Sequence, residues 1–524
     1  MSDSEEPSTR TEPPRPLLQF EVDDRQVEVP DDGASLLEVL RDRLGLRSAK
    51  DGCSPQGQCG CCTVLVDGAP RVACVTPARR VAGRRITTLD GLAPADRDAW
   101  AEAFCATGAS QCGFCTPGIV LRLEGARRKG ADLGDEATVD KALAAHLCRC
   151  TGWRTIHEAA RVLGEPAPER DLDAAARRAA IEGGGPQRVG PEVALGAGGF
   201  ADDLAPADAL VAVPDGQGGY AVGETLSEAR LAAGKVQGRR TTVEPEPPLA
   251  LPDGDWDLTL RTTWVEPAYL ETDASWCAPG GQPVTPLANG GAFGGKVDSP
   301  VAADARRLAA EHGRAVRVLW AREDTVRRGP KRPPIAAGLR HDGTGVVRVA
   351  RTPGIAGPLA AAGFEVEELD VPGPPTSMAI RGAGWVEAAV LTAGARGEVG
   401  WIEAPDGGRA TAAIEDGRIL IRVDAGDPLD EIVLRSYAVG AAHMALSWVC
   451  SEGLAVDADG EVHDLTIRSF GILRAADMPD VDVTIEPSTA DPVNGSDAVF
   501  AAVAAGAWLD QGCPPEWPTG HRYR

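Results

Sequence analysis

The sequence of 524 residues lacks an excess of basic side chains, a long apolar run and a signal-peptide pattern. Lys and Arg number 53 against 77 Asp and Glu, a formal net charge of −24. This acidic balance argues against nucleic acid or an anionic membrane surface as a partner. No apolar stretch approaches the length of a membrane span. The N-terminus, MSDSEEPSTRTEPPRP, is acidic and proline-rich, which predicts a disordered tail over 1–16.

Cysteine is plentiful, with 13 residues, and the densest group lies in a glycine-rich loop, DGCSPQGQCGCCTVLVDGAPRVAC, that starts at Asp51. Its usable subset is Cys53, Cys59, Cys62 and Cys74. Thiolates at this spacing suit zinc or an iron–sulfur cluster. The pattern C-x5-C-x2-C has one residue more than the plant-type ferredoxin pattern. Cys61, in the same loop, is either a buried bystander or an alternative ligand.

A second cysteine set lies downstream, in QCGFCTPG (111–118) and LCRCTG (147–152). Its members are Cys112, Cys115, Cys148 and Cys150. The alternatives are a pair of zinc sites or disulfides, but zinc usually takes paired CxxC knuckles, and C-x-C fits that arrangement less well. The remaining five cysteines are scattered and odd in number, which fits a reducing compartment and predicts a cytoplasmic protein.

The two sets, in this order, resemble the iron–sulfur sites of the molybdenum hydroxylases, the xanthine dehydrogenase and aldehyde oxidase family. CGCCTVLVDG followed by Cys74 is similar to the family's first [2Fe–2S] site, and QCGFCTPG with LCRCTG to its second. The resemblance implies an oxidoreductase with two [2Fe–2S] clusters held by these eight cysteines. It also implies that Gln111 bridges to the pterin of a molybdenum cofactor. The alternative for Gln111 is a polar residue at a helix start.

Local patterns predict an α+β chain. A hairpin around Asp23-Asp24, a helix opened by Ser35, the cysteine loop and a second hairpin follow a β-grasp ferredoxin order over 17–93. The strands of the second hairpin are expected at 63–66 and 71–74, on either side of Asp67-Gly68. Helical spacing of apolar residues then predicts helices over 94–163. The resemblance implies that they form the family's helical-bundle, four-helix-type [2Fe–2S]-binding domain. Residues 164–187 are rich in Ala, Arg and Gly and predict a linker with a helical middle.

The remaining region, 188–524, resembles the family's molybdopterin-binding portion only in fragments, so we expect a reduced, degenerate α+β domain. NGGAFGGK (289–296) is similar to the loop that approaches the molybdenum, and IRGAG (380–384) to a second cofactor loop. The resemblance therefore implies cofactor contacts from Gly291, Phe293, Gly294 and Arg381.

This region also departs from the family. Spacings between the matching fragments are short, and neither the glycine-glutamine loop nor the GVGEP-like loop with its catalytic glutamate is found. Asn494-Gly495-Ser496-Asp497 stands where the glutamate is expected. Hydroxylation requires a base within hydrogen-bond reach of the metal-bound hydroxide. Asp497 is a weak candidate for that base, and the alternative is that Ser496 or Asp497 caps a helix over 498–508.

These patterns favour an electron-transfer subunit that carries two [2Fe–2S] clusters. A molybdopterin-type cofactor is expected on a separate catalytic subunit, and a further FAD-binding subunit is expected because no flavin-type domain follows the clusters. One alternative is a compact, self-contained molybdenum hydroxylase acting on an aldehyde or an N-heterocycle. Another is a scaffold whose clusters only brace the fold.

Overall fold

The structure is a computed structural model that describes residues 16–234, 243–284 and 292–523. The predicted tail, apart from Pro16, and the cofactor candidate Gly291 lie outside the described residues. The boundaries at 16, 93, 163 and 187 remain predictions, and the elements below are grouped by the sheets and helices that they form.

The N-terminal part is a five-stranded sheet with a short helix. Its strands are β1 (Leu17–Val22), β2 (Arg25–Pro30), β3 (Thr63–Val66), β4 (Ala69–Val72) and β5 (Arg85–Thr87), in the order β2-β1-β5-β3-β4. β1 and β2 form the predicted antiparallel hairpin. Helix α1 (Leu36–Glu38) continues as a π-helical turn (Val39–Arg43). The Glu38 amide donates to Ser35 Oγ (3.2 Å), which confirms the predicted helix start.

The second predicted hairpin forms, but its second strand begins and ends two residues earlier than predicted. That strand was expected at Arg71–Cys74, but β4 spans Ala69–Val72, because Asp67 and Gly68 alone form the tight turn with positive φ. Cys74 then lies in a 3-10 turn (Ala73–Val75), and its amide approaches Cys62 Sγ (3.5 Å). The early end of the strand lets the chain turn back toward the cysteine loop.

The next part is helical, as predicted. It contains α2 (Pro94–Thr107), α3 (Thr116–Arg127), α4 (Glu136–Leu143) and α5 (Arg154–Arg161). Trp100 Nε1 donates to Glu124 Oε2 (3.0 Å), which joins α2 to α3 inside the core. Both groups are buried, so each satisfies the other's need for a hydrogen-bond partner.

The expected linker contains α6 (Leu172–Gly183), which gives it the predicted helical middle. The segment is, however, packed against the C-terminal region. Arg178 is fully buried and donates to the carbonyls of Pro428 (3.0 Å) and Val493 (2.8 Å) in the C-terminal region. A buried guanidinium requires such partners, so this segment belongs to the folded core.

The C-terminal region contains three sheets and nine helices among its described residues. The first sheet is β7 (Tyr220–Gly223), β6 (Leu210–Pro214), β10 (Val316–Leu319) and β9 (Ala274–Cys277); the second is β13 (Glu365–Leu369), β12 (Gly345–Ala350), β11 (Ile335–Leu339), β8 (Leu258–Thr262) and β18 (Glu516–Trp517); the third is β14 (Ile402–Glu403), β15 (Arg409–Glu415), β16 (Arg418–Asp424) and β17 (Val481–Ile485). The helices are α7 (Pro191–Ala194), α8 (Ala201–Leu204), α9 (Leu226–Ala233), α10 (Val301–His312), α11 (Arg322–Arg328), α12 (Ala356–Ala361), α13 (Trp385–Arg396), α14 (Glu431–Cys450) and α15 (Ser496–Asp510).

Helices α14 and α15 form the centre of this region. Trp448 on α14 stacks on Phe500 of α15, with ring centroids 5.5 Å apart. By length and hydropathy α14 alone among the described helices passes as a candidate membrane span, and 89% of its apolar window is buried within the fold. The predicted helix over 498–508 lies inside α15. Its first turn is capped differently from the expectation, because Asn494 Oδ1 accepts from the Asp497 amide (3.0 Å).

Candidate iron–sulfur and cofactor sites

The four predicted sulfurs of the first set converge in the loop between α1 and β3, with Cys74 returning from beyond β4. The side chain of Cys53 is hydrogen-bonded to Cys59 and Cys74, and Cys74 is hydrogen-bonded to Cys62. All four are at least 96% buried. These thiols hold the pKa of Cys53 well below its usual range, because their hydrogen bonds stabilise its thiolate.

Backbone amides add further donors to the first site. The amides of Gln56 and Gln58 lie 3.2 and 3.5 Å from Cys53 Sγ. Gly60 has φ +78, and an added Cβ would stand 2.4 Å from the His146 ring, so this close turn requires glycine. The loop therefore wraps its sulfurs with donors that suit an anionic cluster.

The second set forms two pairs of sulfurs. Cys112 and Cys150 lie 3.7 Å apart, and Cys115 is hydrogen-bonded to Cys148. The hydrogen bond from Cys115, with another from Thr151, lowers the pKa of Cys148 to about 6. Helix α3 begins directly after Cys115, as the sequence predicts.

This geometry fits a [2Fe–2S] group better than a single metal ion. In the described ranges no three His, Cys, Asp or Glu side chains are grouped so that they could hold one metal ion. Structural zinc requires four ligands that converge on one point. A [2Fe–2S] cluster spreads four thiolates over two irons, which the pairs Cys112–Cys150 and Cys115–Cys148 match.

The two sites touch each other. The Leu147 amide donates to the Cys59 carbonyl (3.0 Å), so the residue before one proposed ligand is hydrogen-bonded to another. On the opposite side, an added Cβ on Gly118 of α3 would stand 2.3 Å from the Gly60 carbonyl oxygen. The chain therefore links the two sites through one hydrogen bond between backbones.

The C-terminal region covers the first cysteine loop, which the sequence did not predict. Gln56 Nε2 donates to Glu323 Oε1 (3.1 Å), and Arg322 Nη2 donates to the Gly52 carbonyl (2.6 Å). No residue of 51–62 is exposed. These partners lie far apart in the sequence and no local pattern marks them.

Gln111 contacts protein where the resemblance implies a pterin. It lies five residues before α3 begins, so it is not the polar residue of a helix start. Its Nε2 donates to the Cys150 carbonyl (2.9 Å) and to Ser436 Oγ on α14 (3.0 Å). The cavity beside it has a volume of about 10 Å³. Helix α14 thus fills the space next to the second site.

Replacing Gly440 by alanine is expected to separate α14 from the second site. The new Cβ would stand 1.8 Å from the Cys150 carbonyl oxygen, a contact that the buried backbones must relieve by moving apart. Overpacking of this kind costs about 1–3 kcal/mol, which we expect as a lowered thermal midpoint together with an altered visible spectrum of the second cluster.

The matched control is Gly506→Ala on α15. There an added Cβ meets its nearest atom, the Ala412 carbonyl oxygen, at 3.5 Å, which is an ordinary contact. Alanine in a helix interior is then neutral or stabilising by up to about 1 kcal/mol. Equal midpoints and spectra for the two variants would contradict the tight contact at Gly440.

The other cofactor candidates come together in the C-terminal region. The Arg381 amide donates to the Phe293 carbonyl (3.1 Å), and the Arg381 guanidinium lies 4.1 Å from the centroid of the Phe293 ring. An added Cβ on Gly294 would stand 1.8 Å from the Ala379 carbonyl oxygen. Asp497 Oδ1 accepts from Arg381 Nη1 (2.7 Å), so its carboxylate is engaged in an ion pair.

These groups close on one another and leave little space. The cavity lined by Phe293, Arg381 and Phe500 measures about 20 Å³, which is room for about one water molecule. A cavity of about 740 Å³ lies elsewhere, between the end of α14 and the C-terminal segment, and none of the described cofactor candidates lines it. The described residues at this motif therefore do not fit a pterin.

Comparison with known proteins agrees with the two sulfur sites. The family described as "2Fe-2S iron-sulfur cluster binding domain" matches residues 20–80, and the family "[2Fe-2S] binding domain" matches 88–161. The nicotinate dehydrogenase small FeS subunit of Eubacterium barkeri is 41% identical over 127 residues, which are 24% of this chain and 80% of that protein. The aldehyde oxidoreductase of Megalodesulfovibrio gigas is 40% identical over 147 residues, but these are only 16% of that protein.

A solved structure extends the likeness of fold to the C-terminal region. The aldehyde oxidoreductase of Desulfovibrio desulfuricans superposes with a TM-score of 0.68 and 13% identity, and the match covers 93% of this chain and 97% of that one. At this identity the match shows the fold, and it does not show that the cofactor site is shared.

Proposed function

Because this chain belongs to the molybdenum hydroxylase family, we propose that it is the electron-transfer iron–sulfur subunit of a molybdenum hydroxylase complex. Electrons would pass from a molybdopterin centre on a partner subunit through the second and then the first site, towards a flavin subunit. The observation that carries this proposal has two parts. Each sulfur set has its four cysteines close together, with the two sets joined by the hydrogen bond from the Leu147 amide, whereas the residues of the cofactor motif pack against one another and leave no room for a pterin.

The chain's own residues hold and connect the two sites. When bound, each [2Fe–2S] cluster supplies reversible one-electron chemistry. Four thiolates would bind each cluster, and the amides of Gln56 and Gln58 donate towards Cys53 Sγ. The hydrogen bond from Leu147 to Cys59 fixes the distance between the two loops. Burial of the first loop, in which no residue of 51–62 is exposed, excludes water and protects that site from side reactions.

The exposure of neighbouring residues marks where each site lies nearest to the protein surface. Cys112 is the one proposed ligand that is not buried, so the second site lies closest to solvent there. At the first site, Val75 is 46% exposed and directly follows the ligand Cys74. We assign the Cys112 face to the molybdenum subunit and the Val75 face to the flavin subunit.

The C-terminal region is proposed to act as a docking platform without a molybdenum cofactor of its own. The Arg381–Asp497 ion pair and the cavity of about 20 Å³ support this role. The same ion pair argues against Asp497 as a general base, because its carboxylate already accepts a hydrogen bond from Arg381 Nη1. The compact-hydroxylase alternative would require Phe293, Arg381 and Asp497 to move apart and make room for the cofactor.

The proposed complex has three kinds of subunit and lies in the cytoplasm. A relative whose printed name is a small FeS subunit supports the separate catalytic partner, and the odd, unpaired cysteines support a reducing compartment. No substrate is assigned, because in this family the pocket that selects it belongs to the catalytic portion.

Metal analysis of the full chain tests the proposal. Expressed alone, the chain is expected to bind about four irons, two for each [2Fe–2S] cluster, and no molybdenum. Purified from its native cells, it should bring down molybdenum with a second polypeptide. Stoichiometric molybdenum in the lone chain would refute the proposal and support the compact hydroxylase. Clusters that are not reversibly reduced would support a scaffold.

A further inference from the structure

A fifth thiol, Cys61, lies in the first cysteine loop and has no role in the function proposed above. It is fully buried, with an exposed fraction of 0%. Its side chain is hydrogen-bonded to that of Cys59, and its Sγ lies 4.0 Å from the Cys59 carbonyl oxygen. An added Cβ on Gly52 would stand 3.1 Å from Cys59 Sγ and 3.2 Å from Cys61 Sγ. Both sulfurs therefore lie close to the backbone of Gly52.

Cys61 lies at one end of a row of five sulfurs in the first loop. Cys59 contacts Cys53, Cys53 contacts Cys74, and Cys74 contacts Cys62. Of these four sulfurs, the one that hydrogen-bonds to Cys61 is that of Cys59. A Cys59 that binds iron is a thiolate without a proton, so a hydrogen bond between the two sulfurs would then be donated by Cys61. The resemblance assigns the four ligands of the first site without it.

Cys61 also lies at the contact between the two sites. An added Cβ on Gly118, two residues into α3, would stand 2.9 Å from the Cys61 carbonyl oxygen. The Lys50 amide donates to the same oxygen (3.2 Å). The backbone of Cys61 is thus held from both sides, so its thiol is fixed in place beside Cys59.

We propose that Cys61 is a positioning residue that tunes the first cluster by donating an S–H hydrogen bond to the Cys59 thiolate. Hydrogen bonds to ligand sulfurs stabilise the more negative, reduced cluster and raise its reduction potential. Cys61 would therefore favour electron flow from the second site to the first. This inference rests on the electron-transfer function proposed above.

A redox titration of the full holo-chain, followed by electron paramagnetic resonance, tests the inference with Cys61→Ala and Cys61→Ser. In Cys61→Ala the iron content is expected to stay at the wild-type value. The oxidised-to-reduced ratio of the first cluster at a fixed ambient potential should rise about tenfold, which is about 59 mV for a one-electron couple. Cys61→Ser retains a donor and should restore the wild-type ratio. The second cluster should not shift in either variant.

The matched control is Cys450→Ala. Cys450 is also a buried thiol, and its sulfur accepts from Gln511 Nε2 (3.5 Å), far along the chain from both sites. Its replacement should leave both potentials unchanged. An unshifted potential in Cys61→Ala, or a serine variant that behaves like alanine, would overturn the inference and leave the proposed function standing. Loss of iron from the first site would show that Cys61 is a ligand and overturn it as well. Absence of both clusters from the wild-type chain would refute the proposed function too.

Discussion

Replacing Cys148 by alanine is expected to lower the iron content from about four to about two per chain and to abolish the spectrum of the second cluster. Cys148 pairs with Cys115 in the second set, so its loss leaves that set with three thiolates. If a molybdenum subunit delivers electrons to the second site, as proposed, electron transfer from it should fail as well. Iron analysis and low-temperature spectra of the purified variant provide the measurement.

Two further variants make this result specific. Cys62→Ala should leave about two irons and retain the second cluster, because the two sulfur sets are separate. Cys105→Ala should retain all four, since the Cys105 sulfur is only half-buried and lies 3.9 Å from Arg170 Nη1, outside both sets. Four irons in Cys148→Ala, or a loss of iron in Cys105→Ala, would show that the ligands are assigned wrongly.

Glu452→Gln is expected to lower the free energy of unfolding by about 3–5 kcal/mol, because it leaves the buried Arg149 guanidinium without its counter-charge. Arg149 lies between Cys148 and Cys150, is 3% exposed, and donates Nη2 to Glu452 Oε2 (2.9 Å) and Nε to the Pro267 carbonyl (3.0 Å). Denaturant titration, followed by the visible absorbance of the clusters, should show a lower midpoint. The second cluster should be lost first.

Asp482→Asn serves as the matched control for the loss of a charge. Asp482 pairs with Arg418 at 2.9 Å, but both side chains are more than half exposed. Pairs of this kind contribute about 0–1 kcal/mol, so the midpoint should hardly move. Equal losses in the two variants would mean that burial of the Arg149–Glu452 pair has no special effect.

The structure also changes the interpretation of several predicted residues. Asp497 was a candidate base or a helix cap, but its carboxylate pairs with Arg381 and Asn494 caps the turn. Phe293, Gly294 and Arg381 lie together as the resemblance implies, yet they are packed against each other. The contacts of Gln111 with α14 leave its proposed bridge to a pterin without a cavity. The roles of these side chains as site residues stay predictions.

The sequence by itself determined the two cysteine sets, the β-grasp hairpins and the helical second domain, because loop ligands, turns and caps depend on residues a few positions apart. Only the tertiary structure decided which groups meet across the fold. Arg149 and Glu452 are 303 positions apart, and Gln111 and Ser436 are 325 apart. No local pattern encodes such a contact, since a buried polar group finds its partner only when separate elements pack. For the same reason, the covered first loop, the packed helix α6 and the position of Cys61 between the two sites became visible only in the folded chain.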